Sequence, residues 1–348
     1  MIAVGISDRS GQRRSFSAAR GQRLLQAGLA AGIGLPHECA TGTCGNCKAT
    51  VVSGEVVKLW PGAPGAKVCR NQNETLLCQS TAEEAVELSL KGDFTQPCAP
   101  ACRLIEGEIH AVRSLTPEIS EFSVKLCEPI AYKPGQFILL SGLDIEGPRA
   151  YSMTRHDPGS TELNLLVRRD AKGSFSKALF ADLSRVHPVS VFGPLGRAVF
   201  SCDEARPFFA IAGGSGIAGM LSILHHAKEN SHFSKHPSHL VFGLRDSESA
   251  YLLDELAAGA EEASGGLEIT VAFSDASCPP ELAARYPALK FLTGFAHDVA
   301  REILAVRTDK TNPIFFVAGP PVMVNATMRM LIAGCKVSPA EIRYDRFG

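Results

Sequence analysis

The chain has 348 residues, of which 45% are apolar and 20% are charged, and its formal net charge is −1. This length exceeds one ordinary domain, so two or three domains are expected. The near-neutral charge gives no reason to expect a nucleic acid or an anionic membrane as partner. The first residues lack a basic start followed by an apolar stretch, so we predict no secretory signal and expect a cytoplasmic protein.

The segment 92–102 separates two kinds of sequence. It contains Pro97, Pro100 and small residues without a periodic apolar pattern, which is typical of a linker. We therefore predict a first domain over residues 1–95 and a linker over 96–102. The uncharged segment 207–224 is long enough for a membrane helix, but its four glycines predict a strand, a turn and a helix start instead.

The cysteines of the first domain have the spacing of an iron–sulfur site. Cys39, Cys44 and Cys47 are separated by four and two residues, and Cys78 follows after thirty more. Plant-type 2Fe–2S clusters use this spacing, whereas structural zinc usually takes two close pairs of ligands. Small residues between the cysteines allow backbone amides to turn toward the sulfurs. We expect no ligand role for the other cysteines, at positions 69, 98, 102, 127, 202, 278 and 335.

The remainder of the chain shows two successive patterns. Residues 103–203 contain short alternating strands that predict a small antiparallel β-barrel: 107–112, 121–126, 136–140, 163–168 and 188–192, with one helix over 174–183. Residues 204–348 alternate apolar strands with helices, which is typical of a doubly wound parallel sheet. The strands are 208–212, 240–243, 268–273 and 314–318, and the helices are 218–228, 253–262 and 322–332. The predicted fold class is therefore multidomain, with α+β and α/β parts.

The stretch from His37 to Cys47, HECATGTCGNC, resembles the cluster loop of plant-type ferredoxins. The resemblance implies a β-grasp fold for residues 1–95. Free plant ferredoxins are strongly acidic, whereas this segment has ten basic and eight acidic residues. That balance suits a domain tethered to its electron donor, because a tethered domain needs no long-range steering to find its donor.

A tetrapeptide in the barrel, Arg149-Ala150-Tyr151-Ser152, is similar to the Arg-x-Tyr-Ser pattern of the ferredoxin–NADP reductase superfamily. The resemblance implies FAD as cofactor. Tyr151 would cover one face of the flavin, and Arg149 would hold the phosphate. Ser152 would be catalytic, since its hydroxyl would bond the hydride-accepting N5. The further FAD-binding residues implied are Met153, Leu166, Val167, Arg168, Gly173, Ser174, Phe175 and Ser176.

Downstream segments resemble the nicotinamide site of the same superfamily. The implied contacts are Gly213, Gly214, Ser215, Gly216, Arg245, Ser274, Asp275, Gly319, Pro320, Pro321 and Met323. Ala318 stands where the family usually has a cysteine. This chain has Ser274-Asp275 where NADPH-specific relatives have Ser-Arg. An aspartate repels a 2′-phosphate and accepts a hydrogen bond from a ribose hydroxyl, so NADH is predicted. Phe347 is implied as a catalytic residue that shields the flavin until nicotinamide displaces it.

The order of these patterns resembles the reductase component of bacterial multicomponent oxygenases, of the benzoate or toluene type. The resemblance implies transfer of electrons from NADH through FAD and a 2Fe–2S cluster to a terminal Rieske or diiron oxygenase, or to an intermediate ferredoxin. A monomer is expected, with the acceptor docked near an exposed loop 37–48. Three alternatives remain: the same chain serving a deoxysugar-synthesis dehydratase, a non-catalytic redox adapter, and a free-flavin reductase.

Overall fold

The computed structural model describes residues 1–275, 277–307 and 312–346 and arranges them around three large sheets. Each sheet follows the previous one along the chain, and each has its own apolar core. This succession of a ferredoxin-like sheet, an antiparallel barrel and a parallel sheet confirms the predicted fold class.

The first sheet is mixed and packs against one short helix. Its elements are β1 (Ile2–Ser7), β2 (Arg13–Ala18), α1 (Leu24–Ala30), β3 (Lys48–Ser53), β4 (Val56–Lys58), β5 (Glu74–Leu76), β6 (Ser80–Ala82) and β7 (Val86–Leu90). Five strands lie in the order β2-β1-β7-β3-β5, and β4 pairs with β6 as a separate ribbon. Burial alternates along β7, since one face of the sheet covers α1 and the cluster loop.

The second sheet is antiparallel and closes on itself. Its elements are β8 (Arg103–Thr116), β9 (Ile119–Leu126), β10 (Phe137–Gly142), β11 (Ile145–Ser152), β12 (Glu162–Arg168), α2 (Ser174–Ala181) and β13 (His187–Leu195). The order is β11-β10-β13-β8-β9-β12, and a bridge between Met153 and Leu165 joins the two edge strands. The predicted helix 174–183 is α2.

The third sheet is parallel throughout. Its elements are β14 (Phe208–Gly213), α3 (Ile217–Glu229), β15 (Ser238–Leu244), α4 (Leu253–Glu262), β16 (Leu267–Phe273), α5 (Pro280–Arg285), β17 (Lys290–Thr293), α6 (Ala296–Val306), β18 (Ile314–Gly319), α7 (Pro321–Arg329) and β19 (Ile342–Arg346). The order is β17-β16-β15-β14-β18-β19. The central strands are continuously apolar because helices cover both faces. Segment 207–224 forms β14 and the start of α3, and no helix in the described ranges could span a bilayer.

Apolar contacts join the three sheets. The core of the first sheet extends onto the barrel through Phe137, Leu139 and Phe192. The core of the third sheet reaches the barrel through Leu166 and Phe200. The barrel therefore holds the first and third domains on two of its sides, which brings their loops together.

Candidate redox site

The four predicted cluster ligands form two sulfur pairs. The Sγ atoms of Cys39 and Cys44 are 3.3 Å apart, and those of Cys47 and Cys78 are also 3.3 Å apart. In the described ranges, no three His, Cys, Asp or Glu side chains converge so as to hold one metal ion. Two thiolate pairs suit two irons, so the donor set fits a 2Fe–2S cluster better than a single zinc ion.

The loop between the cysteines has the backbone that such a cluster needs. Ala40, Gly42 and Gly45 have positive φ angles of 54°, 92° and 83°, which turn backbone amides inward. The amides of Thr41 and Cys44 donate to Cys39 Sγ at 3.4 and 3.3 Å. Hydrogen bonds from the Cys44 thiol, the Thr43 side chain and the Thr41 amide lower the pKa of Cys39 to about 4. The thiolate is the form in which a cysteine binds a metal.

The cluster loop is less exposed than the sequence suggested. Within 37–48 only Asn46 is exposed, so the expected exposed loop is wrong. The segment 59–72 folds back over the loop: the Gly65 amide donates to the Gly42 carbonyl at 2.8 Å, and the Val68 side chain packs against Gly45. This cover had no periodic signal in the sequence, because it is irregular and short.

The predicted flavin residues Arg149, Tyr151 and Ser152 lie on β11 and are partly buried. Burial raises the pKa of the Tyr151 phenol, whose ring centroid is 6.3 Å from that of Phe175. The Arg149 guanidinium donates to the carbonyl of Gly147 at 3.0 Å, which fixes it at the hairpin. The strand thus carries a ring, a hydroxyl and a cation, the groups that an isoalloxazine and its phosphate require.

Several predicted FAD residues have side chains that are already committed elsewhere. Ser176 Oγ accepts from the Asp170 amide at 3.0 Å. The Arg168 side chain pairs with Glu118 at 3.5 Å. The remaining members are buried in apolar cores, which leaves only their backbone to meet a cofactor: Met153, Leu166, Val167 and Phe175. At the start of α2, the N-cap Gly173 has no side chain to cap the helix, and Ser174 is exposed. The first-turn amides are therefore available to a phosphate.

The helix that follows the glycine turn of the third sheet meets the flavin strand. Gly214 has a positive φ of 51°, and the turn of Gly214, Ser215 and Gly216 leads from β14 into α3. A Cβ atom on Gly219, in the first turn of α3, would lie 3.6 Å from Ser152 Oγ. The hydroxyl predicted to face the flavin therefore lies against the helix that follows the glycine turn.

The segment after β18 closes the same edge. A Cβ atom on Gly216 would lie 2.6 Å from the backbone of Ala318, and one on Gly213 would lie 2.2 Å from Met323 Sδ. Gly319 has a φ of 153°, and Pro320 and Pro321 begin α7. Gly216 is required because the two loops touch backbone to backbone there, and Gly213 because the Met323 side chain fills the space that a Cβ would need.

The predicted ribose-binding residues lie at the carboxyl ends of two other strands. The Asp275 amide donates to the Arg245 carbonyl at 2.9 Å, and Ser274 Oγ donates to Asp275 Oδ1 at 2.7 Å. The carboxyl edge of a parallel sheet is where dinucleotides bind. Phe347, the predicted flavin shield, lies outside the described residues.

One contact of the site has no counterpart in the sequence analysis. Glu38 Oε1 accepts from Tyr344 Oη at 2.6 Å, and Glu38 Oε2 accepts from Arg346 Nη2 at 2.9 Å. A cavity of about 180 Å³ beside this contact is lined by Thr43, Cys44, Pro321 and Arg346. Residues more than 300 positions apart meet here, and no local pattern signals such a meeting.

Three family models match the chain in the same order as the three sheets. A 2Fe–2S iron–sulfur cluster binding domain matches residues 8–83, an oxidoreductase FAD-binding domain matches 106–200, and an oxidoreductase NAD-binding domain matches 210–329. The cofactors of the chain are thus a 2Fe–2S cluster, FAD and a nicotinamide dinucleotide, which confirms the cofactor prediction.

Curated proteins and solved structures match over the full length. The ferredoxin–NAD+ reductase component of the alkene monooxygenase system of Xanthobacter autotrophicus is 31% identical over 96% of this chain and 98% of its own. A ferredoxin–NAD(P)+ reductase of Metapseudomonas resinovorans is 30% identical over 94% of this chain and 95% of its own. The solved ferredoxin reductase of carbazole 1,9a-dioxygenase superposes with a TM-score of 0.84 at 27% identity, covering 99% of this chain and 98% of that one. An Amycolatopsis cytochrome P450 reductase gives 0.77 at 28% identity, with coverage of 99% and 98%.

Proposed function

Because this chain belongs to the family of ferredoxin–NAD+ reductase components of multicomponent oxygenase systems, we propose that it passes electrons from NADH to a terminal Rieske or diiron oxygenase or to an intermediate ferredoxin. Bound FAD would supply the chemistry that accepts a hydride and releases single electrons, and a 2Fe–2S cluster held by Cys39, Cys44, Cys47 and Cys78 would supply the one-electron relay. The cavity shared by Cys44, Pro321 and Arg346 carries the proposal, because there the one-electron site adjoins the nicotinamide edge.

Each predicted site residue has a separate role in binding the flavin or the nicotinamide. Tyr151 would cover the flavin ring, the Ser152 hydroxyl would bond its reactive edge, and Arg149 would hold its phosphate. The glycine turn 213–216 and the segment 319–323 orient the nicotinamide. Asp275 accepts from the ribose hydroxyl and disfavours a 2′-phosphate, which supports NADH over NADPH. The domain limits that we propose are 1–95, 103–203 and 204–348, with 96–102 as linker, in a monomer.

We propose that the acceptor docks on segment 57–70 rather than on the cluster loop itself. Three large apolar side chains of this one segment are exposed: Val57, Trp60 and Val68 expose 45%, 46% and 39% of their surfaces. Grouped apolar exposure marks interaction sites, whereas isolated exposed residues do not. Val68 also packs on Gly45, between two cluster ligands. An apolar centre this close to the cluster suits a partner that must approach within electron-transfer distance.

Charge indicates the chemistry of that partner. Three exposed cations belong to the same segment and form no ion pair within the described ranges: Lys58, Lys67 and Arg70. We therefore propose a partner with an acidic rim, whose encounter is steered by attraction and weakened by salt.

The electron path is tested with Cys44→Ser. Wild-type protein should lose its flavin and cluster absorbance when NADH is added without oxygen, and it should reduce cytochrome c. The variant should lose cytochrome c reduction by about 100-fold or more, because the cluster loses a thiolate ligand, yet keep NADH-dependent ferricyanide reduction through the flavin. A wild-type spectrum unchanged by NADH would favour the redox adapter, and full cytochrome c reduction by the variant would favour a free-flavin reductase.

The docking surface is tested with the acidic cytochrome b5 and the basic cytochrome c as acceptors. Lys67→Glu should slow reduction of cytochrome b5 and speed that of cytochrome c, each about threefold at low salt, because a rim charge acts mainly on association. Lys235→Glu, an exposed lysine of the third domain, is the matched control. Equal effects of the two substitutions would contradict the proposed surface. The acceptor class is tested separately with purified Rieske, diiron and cytochrome P450 oxygenases, the last because of the matching solved reductase.

A further inference from the structure

The contact between Glu38, Tyr344 and Arg346, here called the latch, connects the first and third domains. Both carboxylate oxygens of Glu38 are used by the last strand of the third sheet, at 2.6 and 2.9 Å. The side chains of Arg346 and Glu38 are only 27% and 19% exposed, unlike most surface ion pairs. The latch is therefore a partly desolvated, two-point contact with a defined geometry.

Each end of the latch is attached to one redox site. Glu38 directly precedes the ligand Cys39. Arg346 lies opposite Gly319 in the register of β18 and β19, and its Nη1 donates to Asn325 of α7 at 3.3 Å. The helix α7 begins at Pro321, in the segment proposed to orient the nicotinamide. A displacement of the latch would thus move a cluster ligand relative to the nicotinamide edge.

Resting on the proposed function, we propose that Glu38, Tyr344 and Arg346 are positioning residues for internal electron transfer, which hold the cluster loop in one place against the flavin and nicotinamide sites. The apolar contacts between the domains are non-directional and allow small sliding. The latch supplies the direction, because charge-assisted hydrogen bonds require fixed geometry at both ends. Electron transfer depends steeply on distance, so the rate from flavin to cluster is the quantity that the latch controls.

The kinetic test uses the holoprotein with Glu38→Gln and Tyr344→Phe. After anaerobic mixing with NADH, flavin bleaching is followed by absorbance and cluster reduction by freeze-quench EPR. Bleaching should keep its wild-type rate in Glu38→Gln. Cluster reduction should slow about tenfold, because a small displacement of reacting groups lowers the rate of transfer between them. Glu83→Gln, which breaks an exposed ion pair with Arg20 in the same domain, should change neither phase.

Hydrogen–deuterium exchange distinguishes a positioning role of the latch from direct participation in electron transfer. Hydrogen–deuterium exchange should rise in residues 37–47 and 342–346 of both latch variants, while the cluster absorbance stays at its wild-type value. Tyr344→Phe decides the question if Glu38→Gln fails to retain its cluster, because Tyr344 lies on the other domain.

Unchanged cluster reduction in a latch variant with a full cluster would overturn the inference, as would unchanged exchange in both segments. Failure of NADH to bleach the wild-type flavin would instead overturn the proposed function, so the two failures are distinguishable.

Discussion

The cluster loop and the nicotinamide edge are built by different means. The cluster loop presents thiol side chains, three of them between positions 39 and 47, and pairs their sulfurs at 3.3 Å. The nicotinamide edge presents mainly backbone, contributed by loops that follow separate strands of one sheet. The cluster site therefore requires particular side chains. The nicotinamide edge instead requires glycines, because a Cβ atom would prevent the close approach of the backbones.

The largest effect is expected when one methyl group is added to the nicotinamide edge. In Gly216→Ala the new Cβ would lie 2.6 Å from the Ala318 backbone, which cannot move aside as a flexible side chain could. We expect kcat/KM for NADH with ferricyanide to fall about 100-fold, since misplaced loops lose orientation of the reacting groups. Steady-state assays and the cluster EPR signal measure the two regions separately.

The matched control is Gly259→Ala in α4, where an added Cβ meets no atom within 4 Å. This substitution should leave NADH oxidation unchanged and stabilise the helix by about 1 kcal/mol. Similar losses of activity in the two variants would show that the edge does not depend on close backbone approach.

A smaller effect is expected from Asp275→Arg, which tests whether any side chain at this edge selects the nucleotide. The substitution replaces repulsion of a 2′-phosphate by attraction, so the ratio of kcat/KM for NADPH to that for NADH should rise about tenfold. Glu248→Arg, an exposed acid-to-base change after β15, controls for the general charge. Equal ratios in the two variants would remove Asp275 from the ribose site.

A last effect, on stability rather than on rate, concerns the border between the two regions. Asp345 is buried on β19, and burial, reinforced by the Glu38 carboxylate, raises its pKa to about 7. An unfolded aspartate ionises near pH 4, so the folded state loses stability as pH rises from about 4 through 7, by up to about 4 kcal/mol.

Removal of this carboxylate should abolish that pH dependence. Asp345→Asn should melt above the wild type at pH 8, and the difference in Tm should shrink toward pH 5, as measured by calorimetry of the holoprotein. Asp93→Asn, at an exposed position, should melt with the wild type throughout. A constant Tm difference at all pH values would exclude titration of Asp345 as its cause.

Much of the fold follows from the sequence. The predicted strands 121–126, 163–168 and 268–273 lie within β9, β12 and β16, and the predicted helix 253–262 has the bounds of α4. The strands β17 and β19 and the helices α5 and α6 were not predicted. The edge strands β17 and β19 are short and partly polar, so their pairing depends on the sheet beside them rather than on their own pattern.

The sequence by itself determined the three cofactors: the cluster through its ligand spacing, and FAD and the nicotinamide through short motifs that resemble those of a known superfamily. Spacing and short motifs are local properties of the chain. Only the tertiary structure decided how the sites are joined: the cover of segment 59–72 over the cluster loop, the approach of Gly219 to Ser152, and the latch from Glu38 to Arg346. Such contacts join residues from distant segments, and their geometry is set by how the apolar faces of three domains pack on one another. Periodicity and spacing describe one segment at a time, so they carry no information about that packing.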